Sequence, residues 1–250
     1  MRIPRIFSAV VFALIAVMAG GRLALSAAND SRAAAVAHAL EAHYHDAKTL
    51  QAIFLERYSD SREGTQAESG TVYFSRPGRM RWEYESPEDK LFLSDGKTVW
   101  FYVPSEHTVT RAPLKQSADW RSPLALLTGK ANLSHLCQKL DISAEHPDKP
   151  GNVVLVCRPR GEKPKADPSD GGTDVLAPVE DRFDEVFLEV NPDTGELADV
   201  RVVQPGGIEL EYKFGNWKEN LPLPDSLFRF EAPAGVAIVE QPKAQDSSNP

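Results

Sequence analysis

Ser94 and Lys97 stand in an S-x-x-K arrangement, the spacing at which a serine nucleophile and a lysine base share one face of a helix. Here the residues between them begin Asp95-Gly96, with apolar runs at 91–93 and 98–103 on either side. Asp-Gly between apolar runs predicts a hairpin turn, and a turn does not align the two side chains. The sequence holds no G-x-S-x-G elbow and no glycine-rich phosphate loop, so the usual hydrolase nucleophile and nucleotide cradle are missing. Of its six histidines, His43 and His45 lie two apart on a predicted helix and point to different faces. His38 and His45 share a side but lack a nearby third ligand. Cys137 and Cys157 have no C-x-x-C spacing, which argues against zinc and redox catalysis. Asp193 and Glu196 flank Gly195 without the ligand number of a calcium loop. No catalytic residue, metal or cofactor is expected. Abundant apolar strand faces without a reactive constellation favour a protein that binds an apolar ligand such as an acyl chain, which needs a concave, dry wall of side chains. The same faces could equally form an ordinary core.

The elements that would build such a wall are mostly strands. Asp30 or Ser31 can cap a helix running to about Asp46; Val36, Leu40 and Tyr44 recur every four residues and give it a narrow apolar stripe. From Thr49 the period changes to two. Residues 50–58 and 70–75 are expected strands, separated by a polar stretch at 59–69. Met80, Trp82 and Tyr84 alternate with Arg79, Arg81, Glu83 and Glu85, the pattern of a half-buried antiparallel strand. Residues 91–93 and 98–103 flank the Asp-Gly turn. Ser122-Pro123 opens a short apolar helix, 124–127. Further strands are expected at 136–143, 152–158, 183–190, 197–203, 208–214, 228–231 and 236–239. Residues 161–174, rich in Gly, Pro, Asp and Lys, predict a mobile loop, and 241–250 a polar tail. There is no helix–strand alternation, internal repeat or domain boundary. The reading is mainly β (α+β): one antiparallel sheet of about ten strands over a single domain, 29–240. It curls into an incomplete barrel, or half-barrel, with short helices as a lid across its open side; a closed barrel is the competitor.

The chain has 250 residues with 28 Lys+Arg and 36 Asp+Glu. The net charge of −8 lacks the basic footprint of a nucleic-acid binder. Residues 1–28 read as a cleaved signal peptide: Arg2 and Arg5, then an apolar stretch from Ile6 to Ala19, then Ser26-Ala27-Ala28 at the cleavage site. The stretch is short of the roughly 20 residues that span a bilayer. Losing Arg2, Arg5 and Arg22 with it takes the net charge from −8 to −11, which disfavours residence on anionic membranes. An exported protein with two Cys suggests one disulfide. A hairpin centred on His146-Pro147-Asp148 places Cys137 opposite Cys157; a slip of one residue would separate their faces and leave two free thiols.

The order of motifs resembles the periplasmic outer-membrane lipoprotein carrier family, LolA. The resemblance lies in Arg76-Pro77-Gly78-Arg79-Met80-Arg81-Trp82-Glu83-Tyr84, in Leu93-Ser94-Asp95-Gly96-Lys97-Thr98-Val99-Trp100-Phe101-Tyr102, and in the closing Phe228-Arg229-Phe230-Glu231-Ala232-Pro233-Ala234-Gly235-Val236. It implies an incomplete antiparallel barrel with a helical lid over an apolar cavity. It also implies a periplasmic chaperone, not an enzyme, that takes lipoprotein acyl chains from an inner-membrane ABC-type releasing complex to an outer-membrane receptor lipoprotein. Arg76 matches the family's arginine beside the cavity, which would hold the lid shut through hydrogen bonds. Expected cavity residues are Phe54, Trp82, Tyr84, Trp100, Leu188 and Leu210. Val36, Leu40 and Tyr44 of the first helix, with Leu124 and Leu127 of the short one, would cover the opening. A monomer is expected. The sequence departs from the family at Pro205-Gly206-Gly207, in the apparent insertion 161–174 and in its Cys pair. The alternative is a periplasmic regulator of the same fold, of the RseB type, that binds an anti-sigma factor.

Overall fold

The computed structural model describes residues 29–62, 64–114, 127–128, 133–159 and 184–240. The expected signal peptide, the insertion 161–174, the polar tail and Leu124 lie outside the described residues. Residues 29–45 form helix α1, and Leu133–Leu136 a single-turn helix, α2. Twelve strands make one sheet: β1 (Thr49–Asp60), β2 (Gly64–Ser75), β3 (Arg79–Ser86), β4 (Lys90–Ser94), β5 (Thr98–Val103), β6 (Thr108–Pro113), β7 (Cys137–Ile142), β8 (Val153–Pro159), β9 (Glu185–Val190), β10 (Leu197–Gln204), β11 (Ile208–Glu219) and β12 (Ala237–Glu240).

Their spatial order is β12-β6-β5-β4-β3-β2-β1-β11-β10-β9-β8-β7. The first meander, β1 to β6, and the second, β7 to β11, each pair strand by strand along the chain. They join at one seam, β1 against β11. All pairings are antiparallel except β12 beside β6. The two edge strands do not pair with each other, so the sheet is an open, incomplete barrel and the closed alternative is set aside.

Helix α1 buries Ala33, Val36, Ala37, Leu40 and Tyr44. This i, i+3, i+4 stripe packs into the same apolar cluster as Leu50, Phe74, Leu188 and Val200 of the sheet. Residues 29 and 30 are already helical, so neither Asp30 nor Ser31 caps it. Asp95 makes the expected turn: its Oδ1 accepts from the amides of Lys97 (2.8 Å) and Thr98 (2.7 Å). Ser94 Oγ is occupied by the Gly96 amide at 3.2 Å.

Three expectations change. The polar stretch 59–69 is mostly strand, because β1 and β2 run out past the core and there show water polar residues on both faces. The expected strand 228–231 does not form: residue 228 ends a 3-10 turn, Asp225–Phe228, and 229–231 are irregular; Arg79 pairs with Asp225 at 2.6 Å and lies over the Phe228 ring, and Arg81 donates to the Leu227 carbonyl. The Cys137–Cys157 disulfide is present, but the two residues are not directly opposite. Cys157 pairs with Leu140 and Cys137 with Pro159, across a register shift after Cys137. That irregularity brings their Cα atoms to 5.3 Å along a diagonal.

Candidate functional site

Cross-strand partners share a face, so the register defines the concave side. One row runs Val202–Leu210–Tyr58, the next Val200–Tyr212–Glu56–Glu68, the next Phe214–Phe54–Gly70–Tyr84 and the next Ala52–Val72–Trp82–Phe92–Phe101. Leu188 lies beside Val200 on this face. Phe54, Trp82, Tyr84, Leu188 and Leu210 therefore share this face. Trp100 does not. It pairs with Leu93, which pairs with Arg81, so it belongs to the convex face, where it stacks on Phe230 at 6.1 Å. The strand partner that reaches the concave row is its neighbour Phe101.

The concave floor is aromatic. Phe54 meets Trp82 at 4.8 Å and Tyr84 at 5.0 Å, edge to face. Trp82 lies 5.4 Å from Tyr212, and Phe214 5.2 Å from Trp217. Gly70 makes this packing fit: a Cβ there would lie 1.8 Å from the Glu83 carbonyl oxygen, so only glycine can occupy the crossing of β2 and β3 beneath Phe54 and Tyr84. Trp217 escapes sequence reasoning. Asn216 has φ 54, and two residues, 216 and 217, stand opposite Ala52 in a bulge. A bulge reverses face parity, so odd-numbered Trp217 joins even-numbered Phe214.

The lid sits directly on this floor. Leu40, Tyr44 and Leu127 are fully buried and Val36 nearly so. The Tyr44 hydroxyl accepts from the Leu197 amide at 3.1 Å, and the Trp217 indole donates to the Leu197 carbonyl at 2.8 Å. Burial raises the Tyr44 pKa above the usual phenol range. Glu41 reaches from α1 to the amide of Leu133 (2.7 Å), the first residue of α2. The turn at Gly195 also abuts α1: a Cβ there would sit 2.2 Å from the Ala39 carbonyl oxygen.

Arg76, just past the end of β2, ties these parts together. Its Nε donates to the Leu127 carbonyl at 3.1 Å, and its Nη1 to the carbonyls of Tyr44 and, at 3.4 Å, His45. These helix-end carbonyls have no partner inside α1, and a guanidinium presents several donors in a fixed fork. The Arg76 amide donates to Lys48 O (2.9 Å) and the Gly78 amide to Thr128 O (3.1 Å). Partial burial lowers the Arg76 pKa.

At its far end the concave face turns polar. Tyr84 donates to Glu56 Oε2 at 2.7 Å, and Lys90 pairs with Glu68. Burial raises the Glu56 pKa, with Tyr84 opposing and Glu68 adding to the shift. Sequence reasoning finds neither Glu56 nor Glu68, because alternation predicts apolar residues on that face. A separate cleft of about 710 Å³, between the start of α1 at Asn29 and Asp30 and the strand residues Lys139, Asp141, Arg158 and Glu185, is charged and unsuited to an apolar ligand. Among the described residues no helix is long and apolar enough to cross a membrane.

A model of the family described as outer membrane lipoprotein carrier protein LolA matches residues 45–167. The chain is 29% identical over 205 residues to the outer-membrane lipoprotein carrier protein of Nitrosospira multiformis, covering 81% of this chain and 87% of that one. It is 30% identical over 174 residues to that of Bordetella avium, covering 70% and 72%. An uncharacterized conserved protein from Thermus thermophilus has a crystal structure that aligns over 82% of this chain and 97% of its own, with a TM-score of 0.49 and 14% identity. With a closed lid over an aromatic concave sheet and relatives matched over most of their length, the chain belongs to the outer-membrane lipoprotein carrier family.

Proposed function

We propose that this protein is a periplasmic carrier for the acyl chains of lipoproteins. It takes them from an inner-membrane ABC-type releasing complex and delivers them to an outer-membrane receptor lipoprotein. The observation that carries the reading is the Arg76 clasp: one guanidinium, bonded to the end of α1 and to Leu127, holds shut a cover whose underside and floor are both apolar.

The energetics suit reversible loading. Lifting Val36, Leu40, Tyr44 and Leu127 off the floor exposes four large apolar side chains, at about 1.5–3 kcal/mol each. An acyl chain of ~15 methylenes recovers ~0.8 kcal/mol per methylene on the same surface. The two sums are of similar size, about 10 kcal/mol, so the closed empty state and the open loaded state lie close enough for cargo to be both accepted and released.

The test is loading from membranes. Spheroplasts incubated with the purified mature protein should release lipoprotein into a soluble complex that survives gel filtration, with acylated peptides identified by mass spectrometry. Purified receptor in outer-membrane vesicles should then strip the cargo. A protein that stays empty under these conditions is not a carrier. Capture of an anti-sigma factor in place of lipoprotein would favour the regulatory reading.

A further inference from the structure

On the convex face one row of cross-strand neighbours runs Glu189, Asp199, Lys213. The turn between β7 and β8, residues 143–152, reaches over this row. Buried Glu189 holds the turn from beneath: its carboxylate accepts from the amides of Asp148 (2.8 Å) and Lys149 (2.9 Å) and from the Asn152 side chain (2.8 Å). Two ion pairs add to this hold, Asp148 with Lys213 and Glu145 with Arg201, whose guanidinium lies 4.1 Å from the centre of the Phe187 ring. Asp199 is served worst. Its Oδ2 is buried and makes no hydrogen bond among the described residues. The one described cation within 4 Å of it, Lys213 Nζ, stands off at 3.8 Å, because it is bonded to Asp148 and also has Glu211 at 3.5 Å. Three carboxylates thus share one ammonium, and the most buried of them has the poorest share.

The charged groups around Asp199 come from every neighbouring element: Glu189 from β9, Arg201 from β10, Glu211 and Lys213 from β11, Asp148 from the turn. Arg57 of β1 is taken by Glu211 at 3.1 Å, and Glu145, His146 and Lys149 lie elsewhere in the turn. A buried carboxylate with so little compensation keeps its proton; burial first and then Glu211 push Asp199 up to about 7. We infer that Asp199 is a pH-sensitive latch on the 143–152 turn: protonated, it leaves Lys213 to Asp148 and the turn stays down; ionised, it draws Lys213 to itself, repels Glu189 and lets the turn lift. Lifting frees Lys213 and takes the Asp148 charge away, and both changes favour the ionised acid. By linkage the lifted turn gains population as pH rises toward about 7 and levels off above it. Exchanging one ion-pair partner for another at this lysine corresponds to about ten-fold in the opening equilibrium. The latch is independent of the carrier reading.

The experiment is hydrogen exchange by mass spectrometry on the full mature chain at pH 5 and pH 8, with each rate divided by the intrinsic rate at that pH. Segment 145–152 should be about ten-fold less protected at pH 8 than at pH 5, while segment 71–75 of β2 stays the same. Asp199→Asn, which keeps the shape of the neutral acid, should hold the pH 5 protection at both values. Asp148→Asn gives Lys213 no partner in the turn, so its segment 145–152 should already be less protected at pH 5. A change of less than two-fold in the wild-type segment overturns the inference without any variant. So does a change that survives in folded Asp199→Asn, which would assign it to another group such as His146. Full wild-type protection of the Asp148→Asn turn at pH 5 would overturn the part given to Lys213, and the latch with it.

Discussion

Replacing Arg76 with leucine should open the lid without unfolding the sheet. Among its bonds to the described residues, the guanidinium makes two in partly buried surroundings, to the Tyr44 and Leu127 carbonyls, and a longer one to the exposed His45 carbonyl. The third carbonyl can turn to water and is discounted. Hydrogen bonds to a charged group contribute about 1.5–3 kcal/mol each. The guanidinium gives up hydration to make them, as its lowered pKa reflects, so the net loss is set at about 2 kcal/mol, or ~30-fold in the open population. Hydrogen exchange resolves this by segment. Amides of residues 36–45 should lose about 30-fold in protection, while those of Val72 and Phe74 in β2 keep theirs. Arg76→Lys should fall between the two proteins, since an ammonium lacks the fork that reaches Leu127 and Tyr44 together. In transfer assays the leucine variant should accept lipoprotein and release it poorly, because closure no longer competes with cargo. Unchanged protection in residues 36–45 of a folded Arg76→Leu protein would refute the clasp.

Three further outcomes follow from the same geometry. Unfolded, unreduced protein should titrate no free thiols, and a Cys137→Ser/Cys157→Ser double variant should lose about 3 kcal/mol in urea unfolding. Asp199, pushed up to about 7 mainly by burial and then by Glu211, holds its proton more tightly folded than unfolded, where its pKa is about 3.9. Its effect on stability therefore worsens as pH rises from about 4 to about 7 and is level above; Asp199→Asn should match wild type near pH 4 and exceed it by ~2 kcal/mol at pH 8, measured by urea midpoints. Gly195→Ala would push a Cβ into the Ala39 carbonyl at positive φ and should cost ~2 kcal/mol or more, whereas Gly151→Ala, also at positive φ but with nothing within 4 Å, should cost ~1 kcal/mol.

Some of this architecture is written plainly in the sequence and some is not. The strict alternation from Arg79 to Glu85 gives both the strand and its faces, and Asp95-Gly96 gives the hairpin. Arg76 stands out through its family resemblance and through the acceptors a guanidinium requires. Trp100 is misplaced by sequence reasoning because aromatic character identifies a buried position, not its side of the sheet. The side depends on register through the turn, where Ser94 meets Val99 and so brings Phe101, not Trp100, across from Phe92. Trp217 is hidden by a bulge, which periodicity does not register. The Phe-Arg-Phe run at 228–230 alternates like a strand, yet its partners are Arg79 and the rings of Trp100 and Tyr102 on the convex face. Glu56 is invisible for the opposite reason: a carboxylate on an apolar face breaks the very pattern used to find that face.

The seam between β1 and β11 also bears on how the chain acquires its shape. Within each meander, neighbouring strands follow one another along the chain, mostly through short connections, the longest being residues 160–184 between β8 and β9. At the seam, Asn220 accepts from the Lys48 amide on its side chain and donates its own amide to Thr49, partners 172 and 171 positions apart. Loop-closure entropy grows with length, and long-range pairing slows folding. The topology therefore favours a route in which two half-sheets form first and dock last along β1 and β11. Helix α1 leads directly into β1 yet packs across to Leu197 and Trp217 of the second half, so the cover that governs cargo can settle only after the halves have met. Competence to carry arrives with the final step of folding, and a half-assembled chain would present an apolar floor with nothing to close it.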